Sequence, residues 1–131
     1  MKTLSIINPW AHLIMYHGKN IENRTWHTKY RGRILIHVSK TLLRGYNILL
    51  TDLVFSGLLD RYFTTEEIQK INTECGMIIG SVELYDCEPG NRIVPWGEPV
   101  PYHWKLRNPQ PFAKPVPARG SLGLWEYNGE F

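Results

Sequence analysis

The sequence predicts an α+β domain built on a small closed or nearly closed sheet. Three observations carry that expectation. Strand-like segments outnumber helical ones and recur along the whole chain, and the later ones are separated by proline-rich connectors. The length of 131 residues suits one autonomous core over residues 1–131 and leaves little room for a second. Closing the sheet would also hide its edges from other chains.

Taken in order, "LSII" opens as a short strand, and "PWAHLIMY" follows as a helix with Pro9 in its first turn and Asn8 as N-cap. Gly18 then supplies the left-handed residue that commonly ends helices. From Ile21 to Trp26, a period of two puts Glu22, Arg24 and Trp26 on one strand face. After "HTKYRG", the segment "RILIHVSK" sets Ile34, Ile36 and Val38 against Arg33, Leu35 and His37. That is the pattern of a half-buried strand paired with the preceding one in a hairpin. "TLLRGYNILLTDLVFSGLL" has helical spacing broken by Gly45 and Gly57, and "TTEEIQKI" starts a helix capped by Thr64 or Thr65. Together they form a helical insertion around residues 40–72. "GMIIGSVELYDC", "YHWKLRNPQPF" and "GSLGLWEY" are three further strands, joined by the connectors "IVPWGEPVP" and "AKPVPARG".

Composition excludes several classes. Apolar residues at 43% and charged residues at 21% rule against a disordered or fibrous chain. Asn8 and Pro9 interrupt the first apolar run, and no run is long enough to span a bilayer, so a soluble cytoplasmic protein without a membrane partner is expected. Cys75 and Cys87 are too few for a disulfide framework and are read as reduced packing residues. His12 and His17 share a turn region without a third ligand near them, so no metal and no cofactor are expected. A net charge of +3 and a pI near 8.9 permit an anionic partner without naming one.

The segment "GKNIENRTW" carries the chemistry. Lys19, Glu22 and Arg24 lie where the chain leaves a short helix and enters the sheet, flanked by Trp10 and Trp26. A surface Glu–Arg pair there would be worth ~0–1 kcal/mol and mean little. Three charges at the edge of a core must instead satisfy one another or a ligand. In a cleft, Lys19 would offer a point charge to a phosphate or carbonyl, and Glu22 would accept from an exocyclic amine or act as a base. Arg24 would position Glu22 or clamp a phosphate. His37, Ser39 and Lys40 end the next strand; His37 reads as a satisfied structural residue, and Ser39 and Lys40 as ligand-side groups. Trp10, Trp26 and Trp104 are the expected stacking platforms.

These residues also carry a resemblance. "INPWAHLIMYHGKNIENRTWHTKYRGRILIHVSK" resembles the N-terminal signature of the ASCH domain, within the PUA-like superfamily, and "YHWKLRNPQPFAKPVPARGSLGLWEY" resembles its closing segment. In the family pattern G-x-K-x-x-E-x-R, Lys19, Glu22 and Arg24 match, while His17 stands where the pattern has glycine. The resemblance implies a PUA-like small mixed β-barrel with helices flanking a cleft, and a lysine, glutamate and arginine facing the ligand. Family members are generally proposed to bind RNA, and related folds read single modified bases in aromatic pockets. Some small relatives hydrolyse N4-acetylcytidine with a threonine nucleophile where this chain has Glu22, and others have been assigned nuclease activity.

Three functions follow as alternatives. The leading expectation is a module that binds single-stranded RNA, a nucleotide or a modified base in the Lys/Glu/Arg cleft. The second is a hydrolase acting on a modified nucleoside or cleaving RNA, with Lys19 and Glu22 as candidate catalytic residues. The third is a protein-interaction barrel in which the charges are structural.

Overall fold

Ile34, Ile36 and Val38 alternate along one strand and are completely buried, which fixes where the core lies. The computed structural model of the chain describes residues 1–40 and 63–131. Its elements are β1 (Lys2–Ile6), α1 (Trp10–Tyr16), β2 (Ile21–Arg24), β3 (Gly32–Val38), α2 (Thr65–Thr73), β4 (Met77–Pro89), β5 (Tyr102–Pro117) and β6 (Leu124–Glu126). The strands form one mixed six-stranded sheet in the order β2-β5-β4-β3-β1-β6. β1 and β3 run parallel, and the other pairs are antiparallel.

The sheet curls into a half-barrel. Arg24 at one edge reaches Ser5 on β1 with a 3.0 Å hydrogen bond from Nη2 to the backbone carbonyl, although β2 and β1 stand four places apart in strand order. Inside the curve, Leu4, Ile6, Ile34, Ile36, Ile79 and Trp104 belong to the main core, which α1 covers with Ala11, Ile14 and Met15. On its other side, α1 packs Leu13 against Phe63 and Ile71, so the helix is held between the sheet and α2.

The helix starts one residue later than read: Pro9, not Asn8, is the N-cap of α1, although Asn8 Oδ1 still accepts from the His12 backbone N–H at 3.0 Å. Gly18 follows the helix with φ of +75°, as expected. Thr64 caps α2 by accepting from the Glu67 N–H at 3.2 Å. That helix is the described part of the expected insertion; residues 41–62 lie outside the described residues.

Strand pairing departs from expectation. The hairpin between 21–26 and 33–40 does not form: β2 pairs with β5, and β3 pairs with β1 and β4. β3 is central, so Leu35 and His37 on its second face are buried as well, at 0% and 2% exposure. Trp26 falls beyond the end of β2 and does not share the strand face of Glu22 and Arg24. The connector "AKPVPARG" is strand as far as Pro117, since β5 runs on past the four-residue β2 and tolerates prolines along that unpaired margin. Among the described residues β2 and β6 remain as edges, so the sheet is curled but not closed.

Candidate functional site

A cleft of about 1550 Å³ opens where the curled sheet brings β2 opposite β1 and the end of β3. Lys19, Glu22 and Arg24 line it together. Glu22 Oε2 accepts from Arg24 Nε at 2.9 Å and lies 2.9 Å from Nη2, while Lys19 Nζ stands 3.8 Å from Oε1. Arg24 therefore fixes the carboxylate and ties it to β1, and Lys19 also donates to the Ile21 carbonyl. Lys19 and Glu22 are 5% and 7% exposed, so these charges form the floor of the cleft. Burial holds the Lys19 ammonium below its ordinary pKa, against the opposing pull of Glu22 and Glu98.

Trp10, Ser39 and Lys40 also line the cleft. Trp26 and Trp104 do not. Trp104 is wholly buried, donates Nε1–H to the Trp26 carbonyl at 3.1 Å and meets the Trp26 ring edge-on with centroids 4.6 Å apart. The pair is core packing under the β2–β5 edge, and Trp104 presents no free face to a base.

The second indole wall comes from Trp96, in the β4–β5 connector. Asn23 holds that connector with both ends of its amide: Nδ2 donates to the Trp96 carbonyl at 3.1 Å, and Oδ1 accepts from the Glu98 N–H at 2.9 Å. A proline-flanked tryptophan in "VPWGEP" was the visible signal, but nothing in the sequence ties it to residue 23. Arg119 and Gly120 close the far rim. Among the described lining, Lys19, Arg24, Lys40 and Arg119 face two acids, Glu22 and Glu98, which leaves the cleft net positive.

His37 sits in the wall as a structural group. The Ala118 carbonyl, 2.8 Å from Nε2, can only accept, so the proton is on Nε2 and Nδ1 accepts from the Ser5 hydroxyl at 2.9 Å. Trp125 Nε1 donates to the same Ser5 oxygen at 3.1 Å. Burial, reinforced by Lys40, holds His37 below its ordinary pKa despite the Ala118 bond. A Cβ on Gly120 would lie 2.6 Å from His37 Cε1 and 2.9 Å from Ser5 Oγ, so the rim approaches this network closely only as glycine.

Outside the cleft, α2 delivers what sequence proximity did not show. Glu67 Oε2 lies 2.9 Å from His12 Nε2 and 2.7 Å from His17 Nε2, a third donor beside the two histidines. Cys75 and Cys87 are free thiols, the latter packed in the core.

A mixed half-barrel that gathers a lysine, a glutamate and an arginine at the floor of a cleft fits one class of domain. The chain belongs to the ASCH domain family, whose model matches residues 4–116. It is similar to Activating signal cointegrator 1 of Homo sapiens and of Mus musculus, 22% identical over 134 residues in each case. The match takes in 97% of this chain and 22% of each relative, so the chain spans about a fifth of the length of the proteins it matches. Among the described residues, no helix is long and apolar enough to cross a membrane.

Proposed function

We propose that the cleft binds single-stranded RNA, a nucleotide or a modified base, in the PUA-like manner the family resemblance implies and in a cytoplasmic setting. The observation that carries this reading is the convergence of Lys19, Glu22 and Arg24 at the floor of a cleft flanked by Trp10 and Trp96. Glu22, fixed by Arg24, accepts from an exocyclic amine; Lys19 beside it favours a carbonyl on the same base edge. Lys40 and Arg119, both exposed at the rim, attract the phosphates. The indoles offer stacking faces, worth about 1–3 kcal/mol per base.

Titration of short single-stranded RNA and of free nucleotides at several salt concentrations tests it. Affinity falls as salt rises, and Lys40→Ala lowers the magnitude of the slope of log K against log salt by about 0.7 if Lys40 makes one phosphate contact. Lys19→Ala weakens binding at every salt concentration. Absence of binding at low salt would refute the reading.

A hydrolytic reading has one observation in its favour: a lysine held below its ordinary pKa next to a carboxylate is suited to proton transfer on a modified nucleoside such as N4-acetylcytidine. Glu22 lacks the hydroxyl that covalent chemistry of the threonine type requires, so water would have to be the nucleophile. Acetate release from acetylated cytidine, or shortening of the bound RNA, decides for this alternative; intact substrates decide for binding alone.

A further inference from the structure

Three donor groups that the cleft does not use meet between the two helices. His12 projects from α1 and is 1% exposed, His17 follows the end of the same helix, and Glu67 rises from the first turn of α2. Their ligand atoms all lie within 4.8 Å of one another. A single carboxylate oxygen, Glu67 Oε2, faces the Nε2 atoms of both imidazoles.

The far side of His12 is what distinguishes this group from a surface ion pair. Its Nδ1 lies 3.0 and 3.2 Å from the two oxygens of Glu74, which is itself 1% exposed. Glu74 also accepts from Asn8 Nδ2 at 3.0 Å, and Asn8 Oδ1 holds the His12 backbone N–H. Glu74 thus accepts from Nδ1–H and orients the ring so that Nε2 faces Glu67, and a bound cation would take the place of the proton that Nε2 shares with that carboxylate. A histidine fixed in this way by a buried carboxylate is the usual support for a metal-binding imidazole. Phe63 packs edge-on against both rings, at centroid distances of 5.6 and 5.2 Å, which gives the position an apolar wall.

We propose that His12 Nε2, His17 Nε2 and a Glu67 carboxylate oxygen bind a divalent first-row transition ion, with Zn²⁺ as the ion best suited to two imidazoles and one carboxylate. A fourth position is left for water or the second Glu67 oxygen. The ion would fasten α2 to α1 and so hold the chain that leads from α2 into the Cys75–Met77 edge of the cleft. His17 occupies the position where the family pattern has glycine. The inference is independent of what the cleft binds.

The test uses the full chain without a histidine tag, freed of metal by a chelator and titrated with Zn²⁺ by calorimetry and with Co²⁺ by visible absorption. One ion per chain is expected, with a rise in Tm and intense Co²⁺ bands of a four-coordinate site. His17→Ala and Glu67→Gln each weaken binding at least tenfold; both positions are partly exposed, so the variants fold. Cys75→Ser leaves it unchanged. Absence of wild-type binding, or binding equally tight in His17→Ala and Glu67→Gln, would overturn the proposal.

Discussion

At the scale of single residues, the tryptophans separate into two kinds that composition cannot distinguish. Trp104 is fully enclosed, and its truncation to alanine is expected to lower stability by about 3–5 kcal/mol in urea unfolding. Trp96 stands in the cleft wall and also packs against Leu13, Phe63 and Ile71, so Trp96→Ala should lower the urea midpoint less than Trp104→Ala does while reducing RNA affinity by about 1–3 kcal/mol. Equal effects of the two substitutions on both quantities would contradict the division. His37 gives a pH prediction. Its pKa is lowered in the folded chain, so as pH falls below its ordinary 6.5 the unfolded chain takes up the proton first. The stability supplied by neutral His37, with its Ser5 and Ala118 bonds, is complete above pH 6.5 and is lost as pH falls through the lower folded value. His37→Gln should therefore be less stable at pH 8 and show a shallower decline on acidification, as measured by urea unfolding across pH 5–8. An unchanged pH profile would exclude His37 as the titrating group.

At the scale of elements, helix ends and the later strands were legible because their signals are local. Asn8, Gly18 and Thr64 each act within a few residues of themselves, and the alternation in Ile34, Ile36 and Val38 survives whatever pairs with the strand. Thr64→Ala removes the α2 cap and should lower Tm by an amount corresponding to about 1 kcal/mol, with Lys19 and Arg24 unaffected. A Tm equal to the parent would mean the cap contributes nothing. Pairing was not legible. β2 finds its partner at Tyr102–Lys105, far along the chain, and no periodicity in "IENR" encodes that distance. Nor does Leu35 announce that its face will be covered; that follows from β3 having β1 and β4 on either side.

At the scale of the whole molecule, the cleft is a product of curvature. Lys19, Glu22 and Arg24 are neighbours in sequence and could be named from it, whereas Trp96, Arg119 and Gly120 reach the same hollow only because the sheet bends β2 toward β1. Glu67 meets His12 and His17 for a similar reason, through the packing of α2 on α1. Arg24 is where site and fold share a residue, since one guanidinium fixes Glu22 and bridges two distant strands. Arg24→Ala should cost about 2 kcal/mol of stability, because it leaves the Glu22 carboxylate without its main partner, and Arg24→Lys should recover only part of that. Full recovery by lysine would show that charge alone, without the two-sided geometry, is what matters.

The account stands on the cleft being where an RNA base is held. An NMR titration of the ¹⁵N-labelled chain with a single-stranded RNA oligonucleotide at low salt addresses this directly. The prediction is that the indole signals of Trp10 and Trp96 and the backbone signals of residues 19–24 and 118–121 shift together and saturate, while the Trp104 indole stays in place. Shifts confined to the outer face of β4 and β5, or no saturable shifts at all, would contradict it.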